Sequence, residues 1–184
     1  TSQYRKASFL LNAKGEQIFP NFVDLTEDPF VPKGMGSTSF DNEGVATRHR
    51  KLVDQGVLSG YVLSSYSARR LGLKTTGNAG GIHNLIVQSN AGDLQSILEE
   101  QSELFLVGEL LGQGVNIVTG DYSRGAAGFW VKDGRVCYPV HEATIAGNLK
   151  DIFQGILAIG SDVDKRSKIR CGSVLVEELT IAGM

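Results

Sequence analysis

The stretch GFWVKDGRVCYPV, residues 128–140, carries the strongest local fold signal in the chain. Aromatic and β-branched residues, which favour strands, lie on both sides of Asp133-Gly134. An Asp-Gly pair between two such runs is typical of a two-residue β-hairpin turn. The sequence therefore predicts paired antiparallel strands over Gly128–Lys132 and Arg135–Val140.

Two other turn sequences predict further hairpins. Residues 12–15 (NAKG) separate Phe9–Leu11 from Gln17–Phe19, and residues 54–56 (DQG) separate 45–53 from 57–63. The chain has 23 glycines, nearly twice the usual share of about 7%, as expected for many tight turns. We also predict strands at Leu85–Val87, Leu104–Val107, Val115–Val118 and Ser173–Ile181. Segment 24–36, which contains two prolines, is predicted to be a surface excursion.

Three segments predict helices. Apolar residues in 149–157 recur at i, i+3, i+4 and i+7, with Asn148 as the cap and Gly160 as the end. Shorter helices are predicted for Asp93–Gln101 and Ser65–Leu71. The fold class is therefore α+β and strand-rich, with a mostly antiparallel sheet or a barrel-like arrangement and two or three helices. A length of 184 residues predicts one domain over 1–184.

Composition excludes several classes of function. The net charge is −2, whereas nucleic-acid-binding proteins have strongly basic surfaces. No apolar run approaches the roughly 18 residues of a membrane span, and the first residues lack a signal-peptide pattern. Two cysteines do not make a disulfide framework. We expect a cytoplasmic protein that contacts neither nucleic acid nor membrane directly.

The histidines were considered as metal ligands. His141-Glu142 matches the start of the zincin pattern H-E-x-x-H, but Ile145 stands where the second histidine belongs. His49 and His83 lie in no recognised ligand spacing. Cys137 lies in a predicted strand and is interpreted as a buried apolar residue. The residues alone therefore predict no metal site built on histidine.

Cys171 is the one weak metal candidate. Lys168 and Arg170 precede it, and nearby positive charge favours the thiolate, but an ordinary cysteine without a metal is the preferred interpretation. Ser123 lies near glycines, but Asp121 replaces the first glycine of the nucleophile elbow G-x-S-x-G. We predict no catalytic residue and no cofactor-binding residue in this chain.

Six long motifs carry a family resemblance. They are residues 66–72 (YSARRLG), 76–84 (TGNAGGIHN), 109–115 (ELLGQGV), 120–131 (GDYSRGAAGFWV), 145–150 (IAGNLK) and 179–183 (LTIAG). In this order they resemble the C-terminal part of the TldD/PmbA family, and within it the PmbA (TldE) branch. The resemblance covers nearly the whole chain, so we expect a C-terminal domain whose N-terminal half is absent here.

The resemblance implies a link to zinc-dependent peptide hydrolysis and dimer formation. TldD-type subunits carry an H-E-x-x-x-H helix upstream of the matched region, and this chain has no such motif. Zinc is therefore expected in a TldD-type partner, with this chain as the noncatalytic subunit. The metal-bearing subunits also use a cysteine near the C-terminus, comparable in place but not in spacing to Cys171.

The resemblance leaves alternatives open. The segment Asp121, Tyr122, Ser123 and Arg124 is expected to be a loop at a substrate cavity or a dimer interface. Exposed strand edges suit the binding of an extended peptide. The dimer is a heterodimer with a TldD-like subunit or a homodimer. Alternatively, the protein is a peptidase in its own right, using His83, His141 or Cys171, or a noncatalytic regulator of DNA gyrase.

Overall fold

The computed structural model describes residues 3–183, which contain eleven strands and three helices. The strands are β1 Leu25–Glu27, β2 Arg50–Asp54, β3 Val57–Leu58, β4 Leu85–Val87, β5 Glu103–Leu111, β6 Asp121–Lys132, β7 Arg135–Asn148, β8 Ile156–Ile159, β9 Ile169–Arg170, β10 Val174–Val176 and β11 Thr180–Ala182. The helices are α1 Ser65–Arg70, α2 Leu94–Glu99 and α3 Leu149–Gln154.

The described strands form three open sheets. The central sheet has five strands in the order β3-β2-β1-β4-β9, the long-stranded sheet has the order β11-β7-β6-β5, and the two-stranded sheet pairs β10 with β8. All pairings are antiparallel except that of β4 with β9. The predicted α+β class with mostly antiparallel sheets is confirmed. The strands do not close into the barrel that the sequence left as an alternative.

The β6–β7 hairpin is confirmed. Lys132 pairs with Arg135, and both turn residues between them have positive φ, 48° for Asp133 and 71° for Gly134. Both strands are longer than predicted. The additional pairing includes Ala126, which is fully buried opposite Ala143; such small residues give little strand signal in a sequence.

The hairpin predicted for Phe9–Leu11 and Gln17–Phe19 is wrong. Residues 9–12 form turns, where the N–H of Leu11 donates to the carbonyl of Ser8 (3.1 Å). These local bonds use the groups that a strand ladder would need. Ile18 and Phe19 instead donate their N–H groups to the carbonyl of Gly56 in the β2–β3 turn.

The interpretation of segment 24–36 as a surface excursion is also wrong at its start. Leu25–Glu27 forms β1, which lies in the middle of the central sheet between β2 and β4. Glu27 is only 1% exposed. Pro29, one of the two prolines that suggested a loop, is itself buried just beyond this strand, and the exposed part of the segment begins at Phe30.

Two of the predicted strands differ in the structure. Val115 makes one isolated bridge to Tyr122, and residues 117–119 turn because the side chain of Asn116 accepts the N–H of Val118 (3.0 Å). The predicted strand Ser173–Ile181 is divided into β10 and β11, which belong to different sheets.

The third helix is shorter than predicted. Asn148 caps it by accepting the N–H of Lys150, as the sequence indicates. It ends at Gly155, not at Gly160, and residues 156–159 continue as β8. Apolar residues at helical spacing therefore belong partly to a strand. Among the helices in residues 3–183, none is long and apolar enough to cross a bilayer.

The core joins the central sheet to the segments around it. Val23, Val53 and Ile159 are each 1% exposed and pack in one cluster with Phe19. Phe19 also stacks on Phe153 of α3 with ring centroids 4.6 Å apart. The irregular N-terminal segment is thereby attached to the central sheet and to α3.

Candidate functional site

The four predicted interface residues lie at the start of β6, not in a loop. Asp121 and Ser123 are exposed, whereas Tyr122 and Arg124 are half-buried, because successive side chains of a strand point to opposite faces. The backbone of these four residues has hydrogen-bonded neighbours on both sides. Residues 121–124 pair with β7, and the N–H of Ser123 donates to the carbonyl of Gly114 (2.7 Å).

Asp121 connects a turn to the start of α3. Its carboxylate accepts the hydroxyl of Thr119 (2.5 Å) and the side-chain amide of Asn148 (3.3 Å). The N–H of Leu149 donates to the carbonyl of Gly120 (2.7 Å). The motifs GDYSRGAAGFWV and IAGNLK, which pair with each other across the β6–β7 hairpin, are therefore joined at this corner by hydrogen bonds.

Arg124 holds the end of β5 and the residue that follows it. Its guanidinium Nη2 donates to the carbonyl oxygens of Gly112 (2.6 Å) and Leu110 (3.3 Å). Its Nε is buried without a hydrogen-bond partner. Within the described residues, Arg124 contacts backbone acceptors only, so its observed role is to position this segment.

A buried carboxylate cluster joins the TGNAGGIHN motif to the central sheet. We define it as Glu27, Arg50, Asn78 and His83. The carboxylate of Glu27 accepts Arg50 Nε (2.8 Å), Asn78 Nδ2 (2.6 Å) and the backbone N–H of His83 (2.8 Å). Arg50 also donates to the amide oxygen of Asn78 (2.7 Å). Because a buried charge is costly unless it is paired and hydrogen-bonded, these four residues depend on one another.

The glycines of the same motif fit closely against the chain. Gly77 has φ +73°, and a Cβ there would lie 2.7 Å from the carbonyl oxygen of Ala46. Gly80 has φ +101°, and a Cβ there would lie 2.5 Å from the side chain of Asn42. Gly77 therefore requires glycine for conformation and for space, because its neighbour is a backbone carbonyl. Gly80 requires glycine for conformation, since the end of the Asn42 side chain can move away.

Asp41 attaches a neighbouring loop to this motif. Its carboxylate accepts the N–H groups of Ala79 (2.9 Å), Glu43 (2.8 Å) and Val45 (3.0 Å). Burial raises the pKa of Asp41, but these backbone donors outweigh that effect and hold the pKa below its usual value. Asp41 thus acts as an ionised acceptor that fixes residues 41–45 and 79.

The three histidines occupy separate places. His49 is exposed before β2, and His141 is exposed within β7 of another sheet. His83 is buried, and its Nε2 lies 3.0 Å from the carbonyl oxygen of Gly77. Residues 3–183 contain no group of three or more His, Cys, Asp or Glu side chains that is arranged to hold a metal ion. The described residues therefore do not fit a zinc site.

The two cysteines lie in different surroundings. Cys137 is exposed, so its interpretation as a buried residue is wrong, since it lies in a part of β7 that is exposed on both faces. Burial, with a smaller contribution from Asp162, raises the pKa of Cys171. Lys168 and Arg170 therefore do not lower the pKa of Cys171, in agreement with its preferred interpretation as an ordinary cysteine.

Comparison with protein families identifies similar chains. A family model described as the PmbA/TldA metallopeptidase C-terminal domain matches residues 1–183. Metalloprotease PmbA of Escherichia coli O157:H7 is 52% identical over 182 residues, which cover 99% of this chain and 40% of that protein. The chain thus spans about two fifths of the length of this curated relative.

Solved structures show the same fold. A proposed modulator of DNA gyrase from Bacteroides thetaiotaomicron has a TM-score of 0.94 at 32% identity, covering 100% of this chain and 41% of that one. TldE from Thermococcus kodakarensis has a TM-score of 0.83 at 26% identity, covering 98% of this chain and 46% of that one.

Proposed function

The chain belongs to the PmbA/TldD metallopeptidase family, and from this membership we propose that it is the C-terminal domain of a PmbA-like, or TldE-like, subunit. This cytoplasmic subunit does not hold zinc itself. It pairs with a TldD-type subunit, which supplies the zinc, and the complex hydrolyses peptides or unfolded segments.

One observation carries the proposal: the candidate zinc ligands of this chain lie in different parts of the fold, each in its own local environment. His83 is buried beside the Gly77 carbonyl, His141 lies in another sheet, and the Cys171 thiol has a raised pKa. Zinc binds thiolate and neutral imidazole in a compact tetrahedral set. This arrangement supports a positioning role for the chain in a complex whose metal lies on the other subunit.

The start of β6 is the proposed contact with the substrate cavity or the partner subunit. Asp121 and Ser123 project from a backbone that is bonded on both sides. A rigid, exposed strand segment loses little conformational entropy when it is bound. Rigidity therefore favours this segment over the exposed tips of the loops.

The pairing is tested by measuring binding of the chain to a purified TldD-type subunit. Ser123→Arg places a long charged side chain at the proposed contact and removes no hydrogen bond of the described structure. We expect at least a tenfold loss of affinity. Ser59→Arg, at an exposed serine in another sheet region, is the matched control and should bind like wild type. Equal binding by both variants, or no binding by wild type, would contradict the proposal.

Regulation of DNA gyrase is a second candidate, favoured by the name of the Bacteroides thetaiotaomicron structure. With a net charge of −2, such regulation would act through protein contact rather than through DNA. A pull-down with the chain as bait that retains purified gyrase, but not a TldD-type subunit, would favour this function.

A further inference from the structure

An apolar groove with a volume of about 460 Å³ crosses one face of the long-stranded sheet. Its lining extends from Trp130 to Ile145 and Ile181. Ile145 pairs with Arg124 on one side and with Ile181 on the other. Trp130 and Arg124 lie six positions apart on β6, so their side chains share a face, and at about 3.3 Å per residue the groove is about 20 Å long. Its volume, spread over this length, makes the groove narrow.

The walls of the groove are mainly apolar. They include Leu94 and Leu98 of α2, Phe105 of β5, and Leu157 and Val174 of the two-stranded sheet. Leu157 is 50% exposed and Val174 is 45% exposed, so apolar surface here is open to a ligand. Apolar clefts of roughly 300–1,000 Å³ with a few polar groups are typical of small-molecule sites.

The charged side chains that line the groove are all acidic. They are Glu103, Glu177 and Glu178, and each of these residues is exposed. No Lys, Arg or His is among the lining residues. Because complementary charge favours binding and like charge opposes it, the groove favours a cationic ligand and disfavours an anionic one.

Glu103 and Trp130 together offer a place for a cationic head group. The indole Nε1 donates to the Glu103 carboxylate (2.9 Å), and the indole ring stacks on Tyr138 with centroids 6.4 Å apart. The cross-strand neighbour of Glu103 is Lys132, but no salt bridge within residues 3–183 involves Glu103. A carboxylate makes charge-assisted hydrogen bonds to an ammonium group, and an aromatic ring attracts a cation.

We propose that this groove binds a small single-chain amphiphile, which has an unbranched apolar chain and a primary ammonium head group. The head group lies between the Glu103 carboxylate and the Trp130 ring, and the chain runs across the sheet toward Ile145 and Ile181. The narrow groove selects an unbranched chain, and the acidic lining selects a positive head group. This site goes beyond the proposed function and does not depend on pairing with a TldD-type subunit, so its failure leaves the pairing proposal intact.

The first test follows the fluorescence of Trp130, the single tryptophan of the chain. The chain is titrated with decylammonium, decanoate or hexylammonium, each below the concentration at which it forms micelles. Decylammonium should saturate at one molecule per chain and bind at least tenfold more tightly than decanoate, because the lining is acidic. It should also bind at least tenfold more tightly than hexylammonium, because each buried CH₂ group adds to the affinity. Equal affinity within either pair, or binding that does not saturate, would overturn the proposal.

The second test changes the protein and measures binding by isothermal titration calorimetry, which does not depend on the emission of Trp130. Glu103→Gln removes the charge but keeps an oxygen that accepts the indole N–H. It should lower the affinity for decylammonium at least fivefold and narrow the preference over decanoate. Glu109→Gln makes the same change at an exposed position of β5 outside the groove and should bind like wild type. Equal affinities of the two variants for decylammonium would overturn the assignment of the head-group site.

Discussion

Replacing Glu27 by glutamine removes the negative charge from the buried carboxylate cluster while keeping the shape of the side chain. In the wild type this carboxylate, 1% exposed, accepts three hydrogen bonds, and the Arg50 side chain is 17% exposed. The glutamine amide offers one acceptor oxygen and turns an NH₂ group toward a donor. Breaking a buried ion pair by removing one partner costs about 3–5 kcal/mol. Since glutamine keeps part of the bonding, we expect a loss of about 3 kcal/mol in the free energy of unfolding.

The assay is urea denaturation followed by far-ultraviolet circular dichroism. The midpoint should fall while the m-value stays unchanged, because the surface exposed on unfolding is the same. Glu16→Gln, at an exposed glutamate, is the matched control and should change stability by less than about 0.5 kcal/mol.

A double-mutant cycle sharpens the test. Arg50→Met alone should be similarly destabilising, because it leaves the Glu27 carboxylate without its cation. The double variant Glu27→Gln/Arg50→Met should lose less than the sum of the two, with a coupling of about 1–3 kcal/mol. A Glu27→Gln protein within about 0.5 kcal/mol of wild type, or strictly additive losses, would refute this account of the cluster.

Three further predictions concern the same domain. Gly77→Ala should cost about 1–3 kcal/mol more in urea denaturation than Gly44→Ala, because both have positive φ but only the first would place a Cβ against a carbonyl oxygen, at 2.7 Å; equal losses would refute the clash. The pKa of Asp41 lies below its usual value of 3.8, so its carboxylate stabilises the fold above that pH, and this contribution is lost as the pH falls through the lowered pKa. Asp41→Asn should therefore flatten the loss of stability as the pH falls below 3.8, and an unchanged slope would contradict this. Iodoacetamide at pH 8 should label exposed Cys137 before Cys171, whose pKa is raised by burial; peptide mapping that finds the reverse order would contradict the structure.

Local patterns predicted the parts of the fold that depend on neighbouring residues. The Asp133-Gly134 turn and the Asn148 cap are present, since each is fixed by residues close in sequence. The predicted strand at Leu85–Val87 is also present, although its partner strands β1 and β9 are distant in sequence. The motifs of the TldD/PmbA resemblance were also sufficient to identify the family.

Long-range polar contacts could not be predicted in this way. Glu27 joins Arg50, Asn78 and His83 across separations of 23, 51 and 56 residues. No local pattern brings these residues together, and the nearby prolines instead suggested a loop. Asp24, Glu27 and Asp28 all precede Pro29, and nothing in the local sequence distinguishes the buried Glu27 from its two acidic neighbours.

The change from helix α3 to strand β8 was not predicted, for a related reason. Ile156 continues the apolar spacing of α3. The helix nevertheless ends at Gly155, and the residues that follow form β8, which pairs with β10. The choice between helix and strand there is decided by a partner near residue 175. Tertiary pairing, which outweighs local spacing, thus sets the end of the helix.

We have proposed that this chain belongs to the zinc-free partner of a zinc peptidase complex. The most direct measurement is zinc content by elemental analysis of the chain, alone and after mixing with a TldD-type subunit, together with peptidase activity. We expect no stoichiometric zinc and no activity in the chain alone, and one zinc per complex with peptidase activity. Stoichiometric zinc with peptidase activity in the chain alone would contradict it and would assign the chemistry to His83, His141 or Cys171.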